Sequence, residues 1–178
     1  MKPEGYIKVI RGVNPLEYLN DGYVLMDYKY VLEGEPFFAY HRDVMSSKTV
    51  FNTEYPTYTF LTYNYDGNLL SVCPGSHMMW MCDFPTTLRG NKGDGILFDC
   101  DLVHGGVRGP PGVEIIATEY KIVHLNDLTK LEHLDGVDMC KKGIYNPWLR
   151  KFLLRIFSYL FVVPIQWVFY KTRFLKSI

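Results

Sequence analysis

Short segments rich in β-branched and aromatic residues recur along the first two thirds of the chain, separated by Gly, Pro, Asn and Asp. Such segments predict β-strands, because these side chains pack well on a half-buried pleated surface. Seven strands are predicted, at 6–11, 22–32, 36–44, 56–64, 69–73, 95–100 and 113–124. Asn14 as N-cap and Pro15 at the first helical position predict one short helix over 14–20. The pattern indicates a mainly β fold, a sandwich or a barrel.

The pattern changes after residue 125. Residues 126–146 are polar and charged, and we expect them to link a domain at 1–125 to a hydrophobic helical tail at 147–178. Within the tail, 156–170 carries no charged side chain but contains Pro164 and Gln166, whereas a spanning helix needs about 20 apolar residues. The basic residues on its two sides are Arg150, Lys151, Arg155, Lys171, Arg173 and Lys176. We therefore expect a tail that lies on a membrane surface, or one that packs on the barrel or on a second subunit.

Composition narrows the choice of partner and compartment. The 178 residues include 19 basic and 19 acidic side chains, so the formal net charge is zero and no overall field favours nucleic acid. The four cysteines, Cys73, Cys82, Cys100 and Cys140, have no C-x-x-C spacing, and the first 16 residues lack the apolar core of a signal peptide. We expect reduced thiols and an intracellular, cytoplasmic protein that the tail can attach to a membrane.

Three residues carry the strongest chemical signal. On a strand, His41 and Asp43 share one face while Arg42 points away, and His104 follows a later predicted strand. Two imidazoles and one carboxylate on one face of Fe(II) leave open positions for a chelating co-substrate and O₂. Gly105 and Gly106 leave room for a close approach of backbone or ligand. The three residues are therefore candidate ligands of a mononuclear non-haem iron.

The order of motifs around these residues adds a resemblance. His41-Arg42-Asp43, then D-G-N-L-L-S-V-C-P-G-S-H at 66–77, then Gly93-Asp94 and His104-Gly105-Gly106 resemble the phytanoyl-CoA dioxygenase-like branch of the Fe(II)/2-oxoglutarate oxygenases, over 36–123. The resemblance implies a double-stranded β-helix, a jelly-roll or cupin-like barrel. It also implies iron held by His41, Asp43 and His104, with 2-oxoglutarate decarboxylated as a substrate C–H bond is hydroxylated. The tail leads us to expect a small-molecule substrate that is lipid-like or membrane-borne.

The resemblance is incomplete where the co-substrate would bind. The family normally carries an arginine about ten residues beyond the distal histidine, where its planar fork pairs with the far carboxylate of 2-oxoglutarate. Residues 113–118 contain no basic side chain here. Arg108 is the first candidate to replace it and Lys121 the second, with Thr118 able to add a hydroxyl and Lys48 as a further cation. The co-substrate site is therefore less fully specified than the metal site.

The resemblance places Ser76 and His77 of the P-G-S-H element near the site, where we expect them to support it from outside the ligand set rather than to ligate metal.

Two further readings stay open beside the oxygenase. The missing arginine favours a catalytically inactive β-barrel that acts as a binding or scaffold protein. A cupin-like metalloprotein with another metal is a third possibility, although cupins usually pair two close histidines where this chain has H-x-D.

Overall fold

Two β-sheets form most of the protein in a computed structural model that describes residues 2–78, 84–143, 145, 147–165 and 168, with Val162 described through its backbone alone. The strands are β1 (Tyr6–Val9), β2 (Tyr23–Leu25), β3 (Tyr28–Gly34), β4 (Tyr58–Tyr63), β5 (Gly67–Val72), β6 (Thr86–Gly90), β7 (Gly95–Asp99), β8 (His104–Gly106), β9 (Ile116–His124) and β10 (Val137–Gly143). The helices are the single turn α1 (Lys48–Phe51) and α2 (Trp148–Phe157), which continues into a π-helical turn at Ser158–Val162. Shorter 3₁₀ helices occupy Pro15–Tyr18, Val44–Ser46 and Leu125–Leu134.

The larger sheet has the strand order β1-β7-β4-β9-β3-β10, and β2 also pairs with β9. Its pairs are antiparallel except β3 with β10, which run parallel. The smaller sheet has the order β6-β5-β8. His41 pairs with His104 in an isolated antiparallel bridge, which extends the smaller sheet beyond β8.

The main core lies between the two sheets. Leu70 and Val72 of β5 pack in one buried cluster with Tyr63 of β4 and with Ile96 and Phe98 of β7. Burying two apolar sheet faces against each other is what holds a β-sandwich together. The predicted mainly β class is confirmed, and no closed barrel is detected among the residues that the structure describes.

Most predicted strands are present, and the exceptions have local causes. The predicted strand 22–32 is divided into β2 and β3 at the buried Met26, and the predicted strand 36–44 is reduced to the bridge at His41. Asp43 has φ −77° and ψ 75° and leads into the 3₁₀ turn, so regular strand geometry ends there. The predicted short helix is present as 3₁₀ helix, with the side chain of Asn14 accepting from the N–H of Leu16 at 3.1 Å. Strands β6, β8 and β10 were not predicted.

The polar stretch that the sequence presents as a linker is folded against the larger sheet. Its 3₁₀ helix Leu125–Leu134 buries Asp127, Leu131 and Leu134. Strand β10 follows and pairs with β3 over its whole length. Strand β10 is an edge strand, and its central residues are exposed. Its sequence therefore lacks the alternation of apolar and polar residues that would identify a strand.

Part of the predicted tail is helical. Helix α2 leaves apolar side chains exposed, among them Trp148, Phe152, Leu153, Phe157 and Phe161 just beyond it. Among the residues described, no helix combines the length and the hydropathy needed to cross a membrane. Cys82 and the last ten residues of the predicted tail, 169–178, lie outside the described residues.

Candidate metal centre

His41 and His104 are brought together by the backbone. The N–H of each donates to the carbonyl of the other at 2.9 Å, and their ring centroids are 4.3 Å apart. Residues directly opposite each other in an antiparallel pair project their side chains to the same face. The bridge therefore sets two imidazoles side by side.

Backbone carbonyls also fix which ring nitrogens are available. Nδ1–H of His41 donates to the carbonyl of Ala39 at 3.0 Å, and Nδ1–H of His104 donates to that of Leu102 at 2.9 Å. A carbonyl only accepts, so each Nδ1 carries the proton and each Nε2 presents a lone pair. Burial, with the neighbouring His104, lowers the pKa of His41 to about 4, and burial also lowers the pKa of His104. Both imidazoles are therefore neutral ligands at neutral pH.

Asp43 supplies the third donor. Its Oδ1 lies 3.4 Å from Nε2 of His104 and 3.9 Å from Nε2 of His41. The candidate ligand atoms of the three residues all lie within 4.8 Å of one another. Ligand atoms about 2.1 Å from one ion and at right angles to each other are about 3 Å apart, so these atoms would draw together by up to about 1.8 Å around an ion. His41, Asp43 and His104 can hold one metal ion.

The second oxygen of Asp43 is held by the protein. Oδ2 accepts from Nζ of Lys121 at 2.8 Å and from the hydroxyl of Thr59 at 2.5 Å. Nζ of Lys121 also donates to Thr59 at 2.7 Å and lies 2.7 Å from Oε1 of Glu119. An ammonium has three N–H donors, and these three acceptors use all of them. Lys121 therefore orients Asp43 so that Oδ1 alone faces the imidazoles.

Asp43 and Lys121 form a buried pair in which both side chains are charged. Burial opposes ionisation of Asp43, but Lys121, followed by His104, keeps the pKa of the carboxyl well below its usual range. Burial alone would lower the pKa of Lys121, yet the carboxylate of Asp43 raises that pKa well above its ordinary value. At neutral pH the centre thus contains an ionised carboxylate beside a protonated ammonium.

A cavity of about 500 Å³ opens beside the histidines. It is lined by apolar side chains of both sheets, including Leu61, Tyr63, Leu69, Leu70 and Ala117. The lysines in its lining are Lys141 and Lys142 of β10. A metal held here would lie beside a mainly apolar cavity whose wall carries these two lysines and the carboxylates of Glu35 and Glu119.

The candidate co-substrate anchors lie in different places. Arg108 is exposed in the connection after β8 and is not part of the cavity lining. Thr118 lies on β9 between Ala117 and Glu119, which line the cavity, so alternation directs its side chain to the opposite face of the sheet. Lys121 reaches the centre but is fully engaged there. Nζ of Lys48 donates to the carbonyl of Glu54 at 2.7 Å, away from the three ligands.

Ser76 of the P-G-S-H element lies outside the group of three candidate ligands and contacts the backbone beside His104. The hydroxyl of Ser76 accepts from the N–H of Val103 at 2.8 Å, directly before His104. Arg42 is buried and donates to the carbonyls of Ser76 at 2.9 Å and Asp101 at 2.8 Å. The side chain between the two H-x-D ligands therefore points away from the metal centre, as predicted, and fixes the P-G-S-H turn.

His77 is separate from the three ligands. It lines a second cavity of about 290 Å³ together with Asp99 and Asp101, and it is not among the residues that could share a metal with His41. Burial, then the charge of Arg42, lowers its pKa.

Sequence reasoning did not single out Thr59, which carries no motif, or Lys141, which lies in the stretch expected to be a linker and lines the cavity. Lys121 was the second candidate for binding the co-substrate. A single cation among the apolar residues of 120–123 is also a signal of a buried partner carboxylate.

This chain has limited similarity to known proteins. A scan against protein-family models finds no match, and neither does a search of curated proteins. Among solved structures, EvdMO1 is 15% identical with a TM-score of 0.46, over 61% of this chain and 29% of that one. SnoN, a non-heme alpha ketoglutarate dependent epimerase from nogalamycin biosynthesis, is 18% identical with a TM-score of 0.42, over 53% and 43%.

A third similar structure is HygX from Streptomyces hygroscopicus with nickel, 2-oxoglutarate and hygromycin B bound. It is 17% identical with a TM-score of 0.33, over 38% of this chain and 35% of that one. The matched part thus spans less than half the length of each of the three structures. Because every TM-score is below 0.5, the metal centre rests on its own geometry.

Proposed function

We propose that this protein is an Fe(II)/2-oxoglutarate-dependent oxygenase, related to the phytanoyl-CoA dioxygenase-like branch and built on a variant of the double-stranded β-helix. The observation that carries the proposal is the convergence of His41, Asp43 and His104, with two free Nε2 atoms and one carboxylate oxygen beside an apolar cavity. This donor set suits Fe(II) with open coordination positions. When bound, iron with 2-oxoglutarate and O₂ supplies the oxidation, in which the keto acid yields succinate and CO₂ and one oxygen atom enters a substrate C–H bond.

The chain's own residues prepare the site. The carbonyls of Ala39 and Leu102 hold each imidazole in the tautomer that ligates through Nε2. Lys121 and Thr59 hold the other oxygen of Asp43, so the carboxylate presents one oxygen to the ion. The apolar cavity wall excludes water from a bound substrate.

The far carboxylate of 2-oxoglutarate requires a cation, and Lys141 is the proposed one. Lys141 is paired with Leu32 across β10 and β3, and Leu32 lines the cavity, so the two side chains share that face. Arg108 is the alternative named from the sequence. Titrating Co(II)-loaded protein with 2-oxoglutarate distinguishes them: Lys141→Ala weakens 2-oxoglutarate binding about tenfold, while Arg108→Ala and the exposed control Lys92→Ala leave it unchanged.

The tail is the proposed contact with an anionic membrane surface. Residues 139–178 contain no Asp or Glu, and their basic residues are Lys141, Lys142, Arg150, Lys151, Arg155, Lys171, Arg173 and Lys176. Lys151 and Arg155 are engaged by the body of the protein. The remaining basic residues flank exposed apolar side chains of α2, a combination that binds anionic lipid. A substrate drawn from the lipid phase would suit the apolar cavity.

Vesicle sedimentation tests the membrane contact. The wild type is expected to pellet with vesicles that contain phosphatidylserine and to remain in solution with phosphatidylcholine alone. Phe152→Asp is expected to abolish pelleting. Phe84→Asp, at an exposed phenylalanine outside the tail, is expected to leave pelleting unchanged. Equal recovery of the wild type with both vesicle types would remove the membrane from the proposal.

Decarboxylation without added substrate tests the oxygenase itself. Release of CO₂ from C1-labelled 2-oxoglutarate is expected to require Fe(II) and O₂ and to disappear in His104→Ala, but not in His133→Ala. The engagement of Lys121 and the exposure of Arg108 favour one other candidate, a metal-binding protein without keto-acid chemistry. Stoichiometric metal binding with neither decarboxylation nor 2-oxoglutarate binding would select that candidate.

A further inference from the structure

Helix α2 and the turn after it meet the sheets through polar side chains. Lys151, Arg155 and Ser158 contact the body of the protein, while apolar residues between them are exposed. Nζ of Lys151 lies 2.6 Å from a carboxylate oxygen of Glu35, next to the cavity. A surface helix normally has the opposite polarity, so these inward polar contacts call for a specific role.

Arg155 joins the two chain segments that carry the histidines. Its Nη1 donates to the carbonyl of Gly106 at 2.9 Å. Its Nε and Nη2 donate to the hydroxyl of Tyr40 at 3.1 and 2.9 Å. Tyr40 directly precedes His41, and Gly106 ends the strand that His104 begins. One planar guanidinium therefore ties both sides of the metal centre together.

Ser158 adds a second tie to the same segment. Its hydroxyl accepts from the backbone N–H of Tyr40 at 2.8 Å and donates to the carbonyl of Arg155 at 3.0 Å. Val163, one turn further on, is buried in a cluster with Tyr40 and Val103. Tyr40 and Val103 directly precede His41 and His104, so the side chains of Tyr40 and Val103 point to the opposite face from the imidazoles. The end of α2 thus covers the back of the histidine bridge.

The bridge needs such support because it is short. His41 is the only residue of 36–43 that pairs as a strand, and β8 has three residues. Besides the two bridge hydrogen bonds, the backbone of this segment is tied to the β7–β8 region by Asp43 N–H to Cys100 O and by Gly106 N–H to Phe37 O. The contacts to Tyr40 add to these four backbone hydrogen bonds.

We propose that Arg155 and Ser158 are positioning residues of the metal centre: from the back of the bridge they hold His41 and His104 at the spacing that one metal ion requires. This inference rests on the proposed metal site. It makes the C-terminal helix part of the centre rather than an appendage. Its consequence is that metal affinity depends on residues that cannot touch the ion.

Co(II) titration of the metal-free protein, followed by its visible absorption, tests this inference. Arg155→Met and Ser158→Ala are each expected to weaken Co(II) binding about tenfold, within the range for removal of groups that orient metal ligands. Arg155→Lys keeps the charge but not the three-way fork, and it should bind Co(II) nearly as weakly as Arg155→Met. Arg150→Met, at an exposed arginine of the same helix, should match the wild type.

Circular dichroism separates a folding defect from a positioning defect. Titrations are made well below each variant's melting temperature. Should Arg155→Met not fold, Ser158→Ala, which is the smallest change, provides the test on its own. Wild-type Co(II) affinity in folded Arg155→Met and Ser158→Ala would overturn the inference and leave the proposed function intact. Failure of the wild type to bind Co(II) would overturn the proposed function, and the inference with it.

Discussion

Nζ of Lys121 lies 2.8 Å from Oδ2 of Asp43, and Lys121 is 3% exposed. An ammonium this deeply buried is retained only if its hydrogen bonds are satisfied and its charge is matched. Asp43, Thr59 and Glu119 do both. The pair fixes one carboxylate oxygen and thereby leaves the other for a metal ion.

Replacing Lys121 by Met should damage both stability and metal binding. Asp43 and Glu119 would lose their cation inside the protein, which lowers the free energy of unfolding by about 3 kcal/mol. Metal affinity should fall about tenfold, because Oδ2 is no longer held. Urea unfolding and Co(II) titration measure the two effects. Lys29→Met, at an exposed lysine of β3, is the matched control, and a Lys121→Met variant as stable as that control would contradict the assignment.

His77 and His104 should differ in their effect on metal binding. His77 lies outside the group of three ligand residues and lines the second cavity. His77→Ala should therefore bind one equivalent of Co(II) with wild-type affinity, whereas His104→Ala should show no saturable binding. Calorimetry checks both variants. A large loss of affinity in His77→Ala would mean that the P-G-S-H histidine belongs to the site.

The two glycines after His104 should tolerate alanine to different degrees. A Cβ at Gly106 would lie 2.5 Å from Cβ of Pro36, whereas one at Gly105 would lie 3.1 Å from the carbonyl oxygen of Ala39. Contacts of 2.5 Å force the backbone apart, and overpacking of this kind costs about 1–3 kcal/mol. Thermal unfolding should rank wild type above Gly105→Ala and Gly105→Ala above Gly106→Ala. The reverse order would mean that segment 36–39 is not packed against β8 as described.

Asp99 should make stability depend on pH. Burial, with the charge of Asp101, raises the pKa of Asp99 to about 7, from 3.8. Between these pH values the folded state binds more protons than the unfolded state, so this carboxyl's contribution to stability falls as pH rises from about 4 to about 7. Asp99→Asn keeps an oxygen to accept from the N–H of Asp101 and removes the charge.

The variant should therefore be more stable than the wild type at pH 8, by on the order of 2 kcal/mol, and about equal to it near pH 4. Urea unfolding of the metal-free proteins across this range measures the difference. Taking the difference between the two proteins cancels the contributions of the titratable groups that they share. A constant difference between pH 4 and pH 8 would show that Asp99 is ionised throughout.

The three candidate ligands could be named from the sequence because their signal is local. Period-2 alternation predicted that His41 and Asp43 share a side while Arg42 points away, and the structure places the three side chains so. A long strand is not required, because the single bridge pair at His41 is enough to place its side chain beside that of His104. The glycines after His104 also signalled the close approach of another backbone, which segment 36–39 makes.

The supporting residues were not readable, because their roles depend on contacts between distant segments. Lys121 is 78 positions from Asp43, and Arg155 is 115 from Tyr40. Lysine and arginine are usually solvated, so residue type alone marks neither as a buried partner, and only the apolar neighbours of Lys121 give a local signal. Strand β10 was not predicted because it is an edge strand with exposed lysines. Such a strand lacks the alternation of apolar and polar residues by which a strand is identified.

Anaerobic titration of the metal-free protein with Fe(II) in the presence of 2-oxoglutarate shows whether the chain binds iron and the keto acid together. We expect one equivalent of Fe(II) to bind and a weak visible charge-transfer band to arise from the chelated keto acid. Both should be absent in His41→Ala and in Asp43→Ala and retained in His133→Ala. No metal uptake by the wild type, or uptake unchanged when His41 and Asp43 are replaced, would contradict the claim that these residues form an iron site.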